Sequence, residues 1–113
     1  MTIELTTSGY AKALGFETVC AGEEHTVSGC YVGDLLSWVM SRAGADQAWL
    51  TVMSNVNVAA VAAMTDVACV VLCENAKADP ELVERAQKSG LPIYKTKMSA
   101  YDAAVSTHNI LRR

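Results

Sequence analysis

From Ala48 onward the chain alternates between short apolar runs and longer stretches with helical spacing, the pattern of parallel strands joined by crossover helices. Trp49 to Met53 reads as a strand that ends at Ser54, Asn55, Val56 and Asn57. The following stretch, Val58 to Met64, is apolar all round, so it is expected to be a buried helix or one at an interface. Cys69 to Cys73 is apolar throughout, as a central strand covered on both faces must be. A loop at Glu74 to Ala78 follows. Asp79 then stands at an N-cap with Pro80 at the first helical position and Glu81 in the first turn, and Gly90 and Pro92 close that helix. Leu91 to Lys95 predicts a third parallel strand. Ser99, with Asp102 three residues later, predicts the start of a last helix reaching about Leu111, with Tyr101, Ala104, Val105, His108 and Leu111 facing the sheet.

The first third is less regular. Thr6 to Leu14 predicts a short helix ended by Gly15, Glu17 to Cys20 a strand, and Glu23, Glu24 and His25 a turn. Val27 to Val32 predicts a second short strand. Asp34 to Ala43 predicts a helix with Asp34 at its start, Gly44 past its end, and Leu35, Leu36, Val39 and Met40 as its buried stripe. No internal repeat, low-complexity tract or linker interrupts residues 1–113. The expected architecture is one α/β domain, a three-layer sandwich with a mostly parallel sheet and crossover helices.

Composition narrows the functional classes. The 113 residues are 51% hydrophobic and only 19% charged, below the roughly 25% usual for globular proteins. That deficit points to apolar surface covered by a second copy, as in a homodimer, or by a protein partner. A net charge of -3 offers no basic field for a phosphate backbone, so nucleic acid is not expected as a partner. No apolar run reaches the roughly 18 residues of a membrane helix, and Met1 to Tyr10 lacks the pattern of a signal peptide. A cytoplasmic protein without membrane attachment is expected.

The segment Gly29-Cys30-Tyr31-Val32-Gly33-Asp34-Leu35-Leu36-Ser37, then Ser54 to Ala62, Cys69 to Glu74 and Gly90-Leu91-Pro92-Ile93-Tyr94, resembles the DRTGG domain family. The resemblance runs from about Gly15 to Leu111. It implies a three-layer α/β fold akin to the N-terminal domain of HPr kinase, of a kind also attached to phosphotransacetylases and to regulatory CBS-domain pyrophosphatases, with a regulatory or dimerising role. The family's Asp-Arg pair falls at Asn55 to Asn57 here, and its Thr-Gly-Gly element at Cys73-Glu74-Asn75. Stand-alone copies with an asparagine after the first strand are more similar still, and they imply an adaptor in hydrogenase or anti-sigma-kinase systems. HPr kinase's glycine-rich phosphate loop and its lysine have no counterpart in this chain.

Ligands of open parallel sheets gather beyond the carboxyl ends of the strands, where helix starts present backbone N–H groups. Three loops qualify: Ser54 to Asn57, Cys73 to Asn75, and Thr96 to Ser99. Ser54, Asn55, Asn57, Glu74, Asn75, Thr96, Lys97 and Ser99 are therefore the candidate binding residues, suited to a small anionic or nucleotide-like ligand. The same residues also serve as plain helix caps, with Lys97 as a solvated charge, and both readings stand at this point.

The four cysteines, Cys20, Cys30, Cys69 and Cys73, are expected to be reduced and buried. If Cys69 and Cys73 share one strand they lie roughly 13 Å apart, too far to ligate one ion together. Convergence of Cys20, Cys30 and Cys73 stays open, but no clustered ligand spacing supports it, and no metal site is assigned. His108 is expected on a packed apolar face, and nothing places a nucleophile beside His25. Trp38 and Trp49 are expected as core or interface aromatics. No catalytic residues are assigned, so the expected function is a non-catalytic regulatory or ligand-sensing module, with a purely structural interaction module as the alternative. No cofactor is specified by any motif.

Overall fold

The computed structural model describes residues 5–112. In chain order they form β1 (Leu5–Thr6), α1 (Thr7–Leu14), β2 (Glu17–Cys20), β3 (Thr26–Val27), β4 (Gly29–Val32), α2 (Leu36–Arg42), β5 (Gln47–Thr51), α3 (Asn57–Thr65), β6 (Cys69–Leu72), α4 (Pro80–Ser89), β7 (Ile93–Lys95) and α5 (Ala100–Leu111). A five-stranded sheet takes the order β2-β7-β6-β5-β4, and β1 pairs with β3 in a separate two-stranded ribbon. Strands β4 to β7 are mutually parallel, with Tyr31 opposite Trp49, Trp49 opposite Val70, and Val70 opposite Ile93. Within the five-stranded sheet β2 runs antiparallel, against β7, and the β1–β3 ribbon is antiparallel as well.

This topology dictates the layers. Because β4, β5, β6 and β7 are laid down in steady order across the sheet, successive crossovers of one hand must all fall on one face. Helices α2, α3 and α4 do so, packing Val39, Val58, Val61, Ala62, Leu82 and Ala86 against Trp49, Val70, Leu72 and Ile93. The other face is covered by α1 and α5, whose Tyr10, Ala11, Ala103, Ile110 and Leu111 meet Ala48, Leu50, Cys69, Val71 and Tyr94. The period-two alternation of each strand thus feeds two cores, and the four residues of β6 are all buried. Full burial of side chains such as Leu50, Leu72 and Ile93 stabilises the fold by about 1.5–3 kcal/mol each.

The caps explain the helix limits. Thr6 accepts a hydrogen bond from the Gly9 N–H at the start of α1, and Gly15 ends that helix with φ 73°. Ser99 accepts from the Asp102 N–H at the start of α5. Asp79, Pro80 and Gly90 sit at the ends of α4 as expected, although the Asp79 side chain makes no capping bond.

Four expectations need correction. The strand expected over Val27 to Val32 is broken at Ser28, whose N–H donates to the Asp46 carbonyl, so that β3 pairs with β1 and β4 with β5. Asp34 does not start α2. Its carboxylate accepts from the Thr51 hydroxyl at 2.7 Å and the Val52 N–H at 2.9 Å, and the N-cap is Leu35. Of the stripe expected on that helix only Val39 is fully buried, while Leu35 and Met40 are exposed, because the short helix has only α3 and the edge of the sheet beneath it. On α5 the inward face is Ala103, Thr107, Ile110 and Leu111, so that Tyr101, Val105 and His108 are exposed. Small Ala103 and Thr107 let the helix lie close on the sheet, where the larger side chains could not fit. Helix α3 buries Val58, Ala59, Val61, Ala62 and Thr65 but leaves Ala60, Ala63 and Met64 exposed.

Candidate functional site

The three loops that leave the carboxyl ends of β5, β6 and β7 start from adjacent strands, so they sit side by side along roughly 10 Å of one sheet end. Backbone bonds tie them to one another. The Glu74 N–H donates to the Met98 carbonyl at 2.7 Å and the Asn75 N–H to the Thr96 carbonyl at 2.8 Å, while the Asp79 N–H donates to the Ser54 carbonyl at 3.0 Å. Both Glu74 and Asn75 adopt left-handed backbone, with φ 56° and 59°.

Each candidate residue has a definite place in this arrangement. The Asn55 side-chain oxygen accepts from the Asn57 N–H at 2.9 Å, and its carbonyl accepts from the Val58 N–H, so Asn55 serves the first turn of α3. The Thr96 hydroxyl accepts from the Met98 N–H, and Ser99 caps α5. Asn75, Thr96 and Lys97 come together with Lys95 and Met98 around an open cleft of about 440 Å³, closed on its far side by Leu14, Gly15 and Glu17. Ser54, Asn55, Asn57, Glu74 and Ser99 lie outside that lining.

The cleft exists because β2 returns antiparallel beside β7. Glu17 stands opposite Lys95 in the ladder, and the end of α1 at Gly15 forms the wall above it. Neither Lys95 nor Lys97 forms an ion pair with another described residue, so two cationic heads, a hydroxyl and an amide border one opening beside a single carboxylate. Such a set suits an anionic group bonded by lysine and amide donors. Lys95 and Glu17 were not among the sequence candidates. Both sit at strand ends, and only the non-local pairing of β2 with β7 brings them to the cleft.

The Cys30, Cys69 and Cys73 thiols are not activated. Cys69 is pushed up by burial, as is the half-buried Cys30. Cys73 is pushed up to about 11 by burial, with the Asp34 and Glu74 carboxylates adding to it. All four cysteines are free. Cys20 lies in the α2–α4 core, whereas Cys69 and Cys73 lie in the α1–α5 core with Cys30 against it, so Cys20 does not converge with the others. Among the described residues no three His, Cys, Asp or Glu side chains gather to hold a metal ion. His108 lines a smaller cleft of about 240 Å³ at the opposite end of the sheet, with Cys30, Thr107 and Arg112. Among the described residues no helix is long and apolar enough to cross a membrane.

Comparison with known proteins gives a family and a fold. The DRTGG domain model matches residues 10–110. Among solved structures the chain is similar to the CBS and DRTGG domains of the regulatory region of Clostridium perfringens pyrophosphatase, complexed with the activator diadenosine tetraphosphate. The TM-score is 0.75 at 12% identity, over 94% of this chain and 47% of that one, so the chain spans about half the length of that regulatory region. At that identity the likeness is one of fold. Among curated proteins nothing matches the chain.

Proposed function

The chain belongs to the DRTGG domain family, and from that premise we propose that it is a non-catalytic regulatory module, a single domain that senses a small anionic or nucleotide-like ligand. The ligand binds at the carboxyl ends of the strands, and the bound state is passed to a protein partner in the cytoplasm. The observation that carries this reading is the cleft at the β7–β2 end, where Lys95 and Lys97, without an ion pair to another described residue, stand with Thr96 and Asn75. The pyrophosphatase regulatory region of similar fold is complexed with a nucleotide activator, which supports the same ligand class. Asn55 and Asn57 bond each other at the start of α3, Ser99 caps α5, the Ser54 carbonyl accepts from the Asp79 N–H at the start of α4 and the Glu74 N–H donates to the Met98 carbonyl, which supports a positioning part for these residues in the site.

A thermal-shift panel of nucleotides, acyl phosphates and small carboxylates tests the proposal. A ligand that binds only the folded chain, at a hundred times its dissociation constant, adds about 2.7 kcal/mol. The shift is expected to disappear in Lys95→Ala/Lys97→Ala and to persist in weakened form in Asn55→Ala/Asn57→Ala. A shift that survives the lysine changes would remove the cleft from the site, and a flat panel would remove the ligand reading. The alternative of a structural interaction module draws its support from a different feature, the large apolar side chains exposed on α2 and beside it.

A further inference from the structure

The groups that border the β7–β2 cleft select among anions. Phosphate is held chiefly by backbone N–H groups that converge on it, at a helix start or in a nest of successive amides. Here such donors are already spent. The Asn75 N–H is bonded to the Thr96 carbonyl, the Thr96 N–H to the Leu72 carbonyl and the Gly15 N–H to the Lys12 carbonyl, while the Met98 N–H donates to the Thr96 hydroxyl. The start of α5, just past Met98, has Ser99 as its cap and the Asp102 carboxylate in its first turn, a like charge for any phosphate. The cleft therefore binds through side chains: the ammonium groups of Lys95 and Lys97, the Asn75 amide, and the Thr96 hydroxyl, which accepts from Met98 and keeps its own hydrogen to donate.

Charge narrows the choice further. Two lysines and Glu17 leave one net positive charge in the lining. A phosphate monoester, at about −1.5 to −2, exceeds that charge, whereas a single carboxylate matches it. Glu17 and Lys95 face each other across the β2–β7 ladder, which sets their Cβ atoms about 5 Å apart on one face of the sheet, and they form no ion pair with each other. An ionised carboxylate only accepts hydrogen bonds, so Glu17 calls for a donor on the ligand close to the group that Lys95 takes. Leu14 and Met98, partly buried against the core, make the rest of the lining apolar, and the lysine stems extend it.

We propose that the occupant of the cleft is an α-amino acid with an apolar side chain of about the size of leucine. The assignment deepens the ligand-module reading and rests on it. The α-carboxylate lies among Lys95, Lys97 and Thr96, the α-ammonium on Glu17, and the side chain against Leu14 and Met98. Both charged groups of an α-amino acid sit on one carbon, which suits binding partners that are cross-strand neighbours, and each meets its opposite. At about 440 Å³ the cleft falls near the lower end of small-molecule sites, which span roughly 300–1,000 Å³.

Isothermal titration of the full chain tests this with four probes: L-leucine, 4-methylpentanoate, which lacks its ammonium, L-leucinamide, which lacks its carboxylate, and adenosine monophosphate. Leucine is expected to bind about tenfold or more tightly than each of the other three, a charge-assisted bond being absent from each truncated probe. Glu17→Gln is expected to bring leucine down to the level of 4-methylpentanoate without weakening 4-methylpentanoate itself, whereas a Glu17 that only shapes the wall would weaken both alike. Lys95→Ala/Lys97→Ala is expected to abolish the binding of both. Glu17 and Lys97 are exposed and Lys95 partly so, and circular dichroism melts check that the variants fold. Adenosine monophosphate binding most tightly, and lost with the lysines, would overturn the amino-acid assignment while the cleft stands as an anion site. Leucine binding indifferent to Glu17→Gln would do the same. Binding of no probe, or binding that survives the lysine changes, would overturn the assignment and the cleft reading together.

Discussion

Glu74 and Asn75 are successive residues in left-handed backbone, φ 56° and 59°. Asparagine tolerates this region; for glutamate it costs roughly 1–2 kcal/mol. Glu74→Gly should therefore raise stability by about 0.5–1 kcal/mol once the greater chain entropy of glycine is deducted, read as a higher urea midpoint at unchanged slope. An unchanged or lower midpoint would mean that the turn carries no strain. Glu24 is the second such residue, because its carboxylate accepts from the Thr7 hydroxyl, the Ser8 N–H and the Ser8 hydroxyl and so closes the start of α1 from a distant loop. The Ser8 hydroxyl above all, then the Ser8 N–H and the Thr7 hydroxyl, hold it below the ordinary glutamate value of 4.5. With the folded value depressed, folding favours the ionised form. The stabilisation is complete above pH 4.5 and is lost as pH falls through the folded value. The midpoint difference between wild type and Glu24→Gln should thus be present at neutral pH and vanish at pH well below 4.5. A difference independent of pH would assign the effect to shape rather than charge. Neither residue's role was legible in the sequence, since Glu24 read only as part of a turn and its partners lie 16 and 17 positions away.

At the scale of elements, the sequence showed most where local chemistry decides. Asp79-Pro80 and Gly90 delimit α4, Ser99 and Asp102 open α5, and the unbroken apolar run of β6 declares a central strand, all within a few residues of chain. It showed least where a neighbour decides. The inward face of α5 was expected one residue away from where it lies, because Tyr101, Val105 and His108 follow helical spacing just as well as Ala103, Thr107 and Ile110. Closeness to the sheet selected the smaller set, and it also placed Thr107 over Tyr10. Their hydroxyls are 2.7 Å apart, both residues are fully buried, and Thr107 in turn donates to the Ala103 carbonyl at 2.8 Å. Thr107→Val keeps the volume but leaves the Tyr10 hydroxyl buried without an acceptor, at a cost of about 1–3 kcal/mol. Adding Tyr10→Phe removes the stranded group, so the double variant is expected to be more stable than Thr107→Val alone. Additive losses in the two single variants would show that the pair is not coupled. The candidate site divides in the same way. Asn75, Thr96 and Lys97 were legible as loop residues after strands, whereas Lys95 and Glu17 reached the cleft only through the β2–β7 pairing.

For the molecule as a whole, the three crossover helices and the two terminal helices stand on opposite faces of one sheet, and β5, β6 and β7 contribute side chains to both cores. Trp49 and Leu50 are adjacent residues of β5, yet the first packs under α2 and α3 and the second under α1 and α5. Loss of either helical layer would expose one face of strands whose other face is still packed, and a mixed sheet with one bare apolar face has no stable solution in water. The two layers should therefore melt as one unit. Trp49 reports on the crossover side, being fully buried with its indole N–H donating to the Gly33 carbonyl at 2.8 Å. A Trp38→Phe background removes the exposed second tryptophan and makes fluorescence a probe of that core alone. Far-ultraviolet circular dichroism reads all the helices, including α1 and α5. In urea the two transitions are expected to coincide in midpoint and slope, as two-state unfolding requires. A dichroism loss that precedes the fluorescence change would mean that the chain-end helices leave first. The sheet would then keep its crossover layer without its second cover, and the coupling between terminal helices and β7–β2 cleft, whose wall is the end of α1, would be a mobile one.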